Sequence, residues 1–313
     1  MQTVLGHEGK ILVEEIGRPE PGVGEALVKV AASGINAADW MQARGKYPPP
    51  PGFAPDRLGL EFSGTVAGCG EGVRRLAMGE PVMGITGGEA QSEYITVPES
   101  ALVPVPEGVD LIAAGGFPEA AFTAVDALFN QANLALGDRV LVTGALGGVG
   151  SAAIQIAALA GAQTTAWIRS HDRDAEALGL GAQETLVTAE IAQAGPWDIV
   201  IELVTPRNIP SYLGRLAIGA RVVVIGFAGG ASVEVDVRAL ATKRASIAAS
   251  TLRTRPWSEK SLLAQKVERH LLDALASRAY RIPVEATYPV AEAAAAYDHF
   301  LRPGKLGKVV IAF

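Results

Sequence analysis

The feature that most constrains this chain is a turn almost without side chains, Gly144-Ala145-Leu146-Gly147-Gly148-Val149-Gly150. Before it, Arg139-Val140-Leu141-Val142-Thr143 has the pattern of a buried strand; after it, residues 151–160 are small and read as a helix. Glycine is needed where backbone must come close to backbone or to a ligand. Between a strand and a helix, such a turn also leaves the positive N-terminal end of the helix open to an anion. Ala145, Gly147 and Gly150 fit the spacing of a dinucleotide-binding turn, with alanine at the first glycine position. No Lys-Ser or Lys-Thr follows, so it is not the phosphate loop of nucleoside triphosphatases.

The rhythm around the turn predicts the rest of the sheet. Residues 164–168, 198–203 and 221–227 read as strands, and 172–178 and 208–216 as helices. Apolar strands alternating with helices indicate a parallel sheet covered on both faces. The fold class is therefore α/β, with a doubly wound Rossmann sheet. The first third differs: residues 26–30, 64–67 and 94–98 are short β runs between Gly and Pro signals. Tyr47-Pro48-Pro49-Pro50-Pro51-Gly52 suits neither helix nor inner strand and is expected as a stiff surface loop. After residue 253 a helix (258–276), a strand (284–288), a helix (291–301) and a strand (308–313) are expected. The length of 313 residues suits two domains. These are placed at 1–118 with 254–313, β-rich, and at 119–253, dinucleotide-binding.

Composition removes several function classes. There are 27 Lys and Arg against 33 Asp and Glu, a net charge of −6, with no basic run, which argues against a nucleic-acid partner. Cys69 is the only cysteine, so an intrachain disulfide and a four-cysteine zinc site are ruled out. Cysteine usage points to a reducing, cytoplasmic setting. Cys69 itself is expected as a small buried residue. His7, His171, His270 and His299 lie at no metal-ligand spacing. The N-terminal segment carries His7, Glu8 and Lys10 rather than an apolar core, and no apolar run reaches spanning length, so no membrane partner is expected.

The choice of dinucleotide turns on the residue about 20 positions past the turn, where an acid would bind the ribose 2′-hydroxyl of NAD. At 19 positions past Gly150 stands Arg169, followed by Ser170 and Arg173. A cation there favours the 2′-phosphate of NADPH through charge-assisted hydrogen bonds. The bland reading makes Arg169 and Arg173 solvated loop charges, and Asp172 and Asp174 could neutralise them. The turn also fits the glycine motif of short-chain dehydrogenases. Those enzymes place it near the N-terminus and use a Tyr with a Lys four residues on. Here Tyr212, Tyr280, Tyr288 and Tyr297 are followed at that spacing by Leu216, Val284, Glu292 and Leu301. That reading is rejected.

Several segments together carry a resemblance. These are Gly34-Ile35-Asn36-Ala37-Ala38-Asp39, Gly45 to Pro50, Leu58-Gly59-Leu60-Glu61-Phe62-Ser63-Gly64, and Pro118-Glu119-Ala120 with Thr123-Ala124. The glycine turn, Leu252-Arg253-Thr254-Arg255 and Gly307-Lys308-Val309-Val310 complete the set. End to end, the chain resembles the medium-chain dehydrogenase/reductases, in their zinc-independent quinone oxidoreductase branch. The resemblance implies a GroES-like catalytic domain beside the Rossmann domain, an NADPH cofactor, a small-molecule quinone or enone acceptor, and a homodimer. Zinc-dependent members have Cys where this chain has Asn36 and His where it has Leu60. Neither substitute ligates zinc, so no metal is expected. Without a Lewis acid, alcohol oxidation loses its usual stabiliser of the alkoxide, which favours hydride transfer to an electron-poor acceptor.

By the same resemblance, Tyr47 lies in the substrate cleft and Asn36 near the nicotinamide; these are the catalytic candidates. Alternatively Tyr47 anchors the proline loop and Asn36 closes a turn. The resemblance places Thr123 at the nicotinamide and Gly148 and Val149 at the pyrophosphate, within the dinucleotide turn that also holds Gly144, Ala145, Gly147 and Gly150. Val204 would lie beside the cofactor, with Gly226, Phe227 and Ala228 at the next strand end. Thr251, Leu252 and Arg253 would cover the nicotinamide ribose, and Lys308 would reach the cofactor unless it is simply solvated. Asp39 is expected to cap a short helix following it. Leu186-Val187-Thr188 stands where relatives often carry a Tyr near the adenosine phosphate. Two other readings stay open. One is an enoyl-thioester or tailoring reductase, whose basic groove could only involve Arg253 and Arg255. The other is a low-turnover NADPH-binding sensor or structural protein.

Overall fold

The structure, a computed structural model, describes residues 1–313. The chain forms two compact units, Met1–Phe122 with Leu252–Phe313, and Thr123–Thr251. The expected breaks followed residues 118 and 253.

The first unit is built on a seven-stranded sheet. Its long strand Glu25–Gly34 pairs antiparallel with Glu61–Cys69, Tyr94–Pro98 and the C-terminal strand Lys308–Ala312. Alternation sends Ala26, Val28 and Val30 into a core with Phe62, Val66, Val82, Ile95 and Leu102. A second core gathers Val4, Ile35, Leu58, Val309 and Ile311 beneath Tyr297 of the helix Ala293–Leu301. The opening segment, read above as merely polar, is a hairpin of Gln2–His7 and Lys10–Glu15. Glu8 and Gly9 both have positive φ (50° and 80°), the conformation that two-residue hairpin turns require. Cys69 corrects an expectation: it is exposed, because it ends its strand where the sheet runs out into solvent.

The second unit holds six parallel strands in the order Glu184–Leu186, Gln163–Trp167, Arg139–Thr143, Trp197–Glu202, Leu216–Val224, Ser246–Ala249. The order reverses after Arg139–Thr143, the switch point at which open parallel sheets bind ligands beyond their C-terminal ends. Val140, Leu141 and Val142 are fully buried, as an inner parallel strand requires. The helix Gly148–Leu159 is buried on most sides, and its alanines let it lie close to the sheet. The helix expected over 208–216 is instead three short helical pieces between Pro206 and Arg215. Pro206 and Pro210 fit only first-turn positions, and so keep restarting the helix. The strand expected over 221–227 begins at Leu216, which pairs with Trp197, and ends at Val224. A π-helical stretch, Asp126–Gln131, had no sequence signal that we read.

Candidate functional site

In the second unit the glycine turn forms an open cradle. Gly147 caps the helix Gly148–Leu159, and the first intrahelical hydrogen bond runs from Ser151 N–H to Gly147 C=O, 2.8 Å. The amides of Gly148, Val149 and Gly150 therefore have no acceptor within the helix. Gly144 and Gly147 are exposed, while Gly150 is buried. A Cβ on Gly150 would lie 2.3 Å from the Gly144 carbonyl oxygen, and Gly144 itself has φ +59°. Free amides, a helix N-terminus and absent side chains suit the pyrophosphate of a dinucleotide.

The other expected cofactor residues of this unit lie mainly at the same end of the sheet. Arg169, Ser170 and Arg173 follow Gln163–Trp167; Val204 follows Trp197–Glu202. Gly226, Phe227 and Ala228 follow Leu216–Val224, and Thr251 follows Ser246–Ala249. Val204 and Phe227 are 38% and 43% exposed, apolar side chains left uncovered where an aromatic ring could pack. Thr123 lies in the helix Pro118–Val125 and is almost buried. Arg169 is exposed, whereas Arg173 is ion-paired with Glu176. Of the two cations expected near a 2′-phosphate, only Arg169 thus lacks an acidic partner in the fold.

In the first unit the sequence-selected residues fall in a buried charge cluster. Asn36 Nδ2 donates to Glu61 Oε1 (2.9 Å), and Asn36 Oδ1 accepts from Lys308 Nζ (2.7 Å). Lys308 Nζ also lies 2.5 Å from Glu61 Oε1, closing a three-residue ring. Glu61 Oε2 accepts from the Glu119 N–H at 2.8 Å. Lys308 is not solvated; it is 5% exposed and fully engaged inside the unit. A Cβ on Gly34 would lie 2.5 Å from Glu61 Oε1, so only glycine leaves room for the ring. Asp39 does not precede a helix, as expected, but stands inside the first turn of Ala37–Ala43. It accepts from Asn36 N–H (2.8 Å) and Gly59 N–H (3.0 Å). Burial raises the Asp39 carboxyl to about 6, against those hydrogen bonds and the Arg253 charge. Glu119 keeps some solvent contact within dense protein; burial, then the Glu61 charge, push it up to about 8.

Arg253 corrects a further expectation. It is 3% exposed, and its guanidinium donates to Gly87 C=O (2.8 Å), Tyr47 C=O (2.9 Å) and Gln42 Oε1. Gln42 Nε2 in turn donates to Pro55 C=O (2.9 Å) and Arg57 C=O (3.0 Å). The guanidinium carbon also sits 5.2 Å from the Tyr47 ring centroid, within cation–π range. Arg253 thus fastens both ends of the proline loop and half-buried Tyr47. Its side chain is not free to line a basic groove, and Arg255 lies 3.8 Å from Glu259. Leu252 beside it is buried.

Sequence reasoning missed Glu202 in the second unit. Its side chain is fully buried and accepts the Thr143 hydroxyl (2.7 Å), Val204 N–H (3.0 Å), Thr205 N–H (3.0 Å), Asn208 Nδ2 (3.2 Å) and Tyr212 hydroxyl (3.3 Å). The available signal was one acid ending the otherwise apolar run Ile199-Val200-Ile201.

Comparison with known proteins matches residues 22–107 to the alcohol dehydrogenase GroES-like domain and residues 148–268 to the zinc-binding dehydrogenase domain. The chain is 30% identical to a rat quinone oxidoreductase over 98% of its own length and 94% of the relative's. Among solved structures, an NAD-dependent alcohol dehydrogenase superposes with a TM-score of 0.86 at 26% identity, covering all of both chains. A mycobacterial protein solved with NADPH superposes at 0.85 and 25%, again over all of both chains.

Proposed function

Because the chain belongs to the quinone oxidoreductase branch of the medium-chain dehydrogenase/reductase superfamily, we propose that it transfers hydride from NADPH to a quinone or enone. As a family member it is an oxidoreductase acting on a small molecule with a nicotinamide cofactor. The preference for NADPH rests on one observation: Arg169 is exposed at the end of its strand, with no carboxylate paired to it. The two structural relatives differ, one NAD-dependent and one holding NADPH, so the choice of NADPH rests on Arg169 rather than on them.

NADPH supplies the hydride. In our reading the amides of Gly148, Val149 and Gly150 hold its pyrophosphate, Arg169 and Ser170 its 2′-phosphate, and Val204 and Phe227 pack against its rings. Thr123, Gly226, Ala228, Thr251 and Leu252 complete the proposed contacts. Tyr47, fastened by Arg253, faces the acceptor and donates to the oxygen that gains charge. Asn36 contributes indirectly, since both ends of its amide are already engaged. No group of three His, Cys, Asp or Glu side chains is arranged to hold a metal, and Leu60 offers no donor atom. This supports a zinc-independent reaction. The family resemblance further supports a cytoplasmic homodimer without nucleic-acid or membrane partners. No helix is long and apolar enough to cross a membrane.

The test is NADPH oxidation by the purified protein across quinones, enones and enoyl thioesters, with metal analysis of the same sample. Turnover with a quinone or enone and no stoichiometric metal is expected. NADPH binding without turnover on any acceptor would favour the sensor reading instead. Tyr47→Phe is expected to lower turnover while NADPH affinity holds; unchanged turnover would remove Tyr47 from the chemistry.

A further inference from the structure

We propose that Glu202 is a positioning residue that shapes the nucleotide cradle by tying two turns to its buried carboxylate and a third to its backbone carbonyl. It stands at the C-terminal end of Trp197–Glu202, the strand beside the one that feeds the glycine turn. Oε1 accepts the Thr143 hydroxyl and the Val204 and Thr205 amides, so one atom joins the entrance of the glycine turn to the turn bearing Val204. Thr143 Oγ1 closes the link by accepting Leu203 N–H at 2.8 Å. The Glu202 backbone carbonyl accepts Ile225 N–H (2.9 Å) and Gly226 N–H (3.1 Å), which brings in the third turn.

The three turns leave no slack. A Cβ on Gly144 would lie 3.0 Å from Val204 Cγ2, and one on Gly226 would lie 1.9 Å from the Leu203 carbonyl oxygen. The cluster suits a carboxylate. Every group aimed at the side chain is a donor: two backbone amides, two hydroxyls and the Asn208 amide nitrogen. A carboxylate offers about four lone-pair sites and no hydrogen. A glutamine would offer the four donors at Oε1 only a neutral oxygen and turn its NH2 toward the Tyr212 hydroxyl, so each bond would lose the charge assistance of the carboxylate. No Lys or Arg bonds to this acid, so the directional hydrogen bonds satisfy the buried charge. The rigidity of the glycine turn and the Val204 turn therefore depends on that charge, and with it the fit of a ligand whose free energy is set by preorganised amides.

This inference rests on the nicotinamide-nucleotide reading of the cradle, and the experiment separates the two. Amide hydrogen exchange is measured on the nucleotide-free protein over residues 143–150 and 203–206, and NADPH binding by its fluorescence. Glu202→Gln is expected to speed exchange in both segments and weaken NADPH about tenfold, leaving the acceptor KM within twofold. Tyr212→Phe, which removes only the 3.3 Å contact to Oε2, is expected to change both far less. If Glu202→Gln does not fold, Thr143→Val removes the central hydroxyl with little change in shape and should give the same paired effect. Unchanged exchange in both segments would overturn the proposal. Faster exchange in a protein whose wild type binds no NADPH would uphold the positioning role and overturn the nucleotide reading.

Discussion

The Lys308 ammonium lies 2.5 Å from Glu61 Oε1, with the two side chains only 5% and 0% exposed. It joins the C-terminal strand to Glu61–Cys69 across Glu25–Gly34, so the end of the chain helps to lock the middle of the sheet. A pair this deep offsets its desolvation only while every partner is present. Lys308→Met should leave the Glu61 carboxylate buried without a cation and cost about 3–5 kcal/mol of stability. Adding Glu61→Gln should recover part of that loss. Urea unfolding of the three variants checks it; a loss below about 1 kcal/mol for Lys308→Met would place the pair in the class of surface ion pairs.

Glu119 links stability to pH. Its carboxyl titrates near 8 in the folded protein, against 4.5 as an ordinary carboxyl. Between those values the folded state binds more protons than the unfolded one, so stability falls as pH rises. The contribution is fully present below about 4.5 and lost as pH rises through about 8. Melting temperature is therefore expected to decline across this window in the wild type, with a shallower slope in Glu119→Gln. Parallel slopes would show that Glu119 ionises normally.

Gly150 tests the cradle by sterics alone. Alanine there would place its Cβ 2.3 Å from the Gly144 carbonyl oxygen and 2.8 Å from Ala145 backbone atoms, none of which can swing away. Gly150→Ala should lower stability by about 1–3 kcal/mol, as overpacking does. It should also weaken NADPH at least about tenfold, equivalent to about 1.4 kcal/mol. Titration calorimetry on the folded variant reads the second effect.

Arg169 and Arg173 should behave differently although the sequence presents them alike. Arg173 is ion-paired with Glu176, and Arg169 is exposed. Arg169→Ala should reduce the preference for NADPH over NADH by about ten- to a hundredfold, the range for hydrogen bonds to charged groups. Arg173→Ala should change it less than threefold. The ratio of the two dissociation constants is the measurement, and equal effects would move the 2′-phosphate site elsewhere.

The strand, turn and helix around Gly144–Gly150 were legible because their causes are local. Buried parallel strands are continuous apolar runs, and a turn without side chains can be read directly. The absence of zinc-ligand residue types at Asn36 and Leu60 is read from the sequence in the same direct way. The hairpin at Glu8-Gly9 was missed because Lys10–Glu15 is largely exposed and neither flanking strand alternates strictly between apolar and polar residues. Residues 208–216 show a helical period in the sequence but form short separate pieces, because Pro206 and Pro210 keep restarting the helix.

By itself, the sequence determined the fold class and the side-chain-free turn between strand and helix, since both follow from patterns local along the chain. Only the tertiary structure decided what the polar residues do. It seals Lys308 against Glu61, turns Arg253 inward onto Tyr47 and Gln42, and makes Glu202 the anchor of three turns. Charges written alike in a sequence differ once folded, because burial makes each one depend on partners up to 272 positions away, as Lys308 does on Asn36.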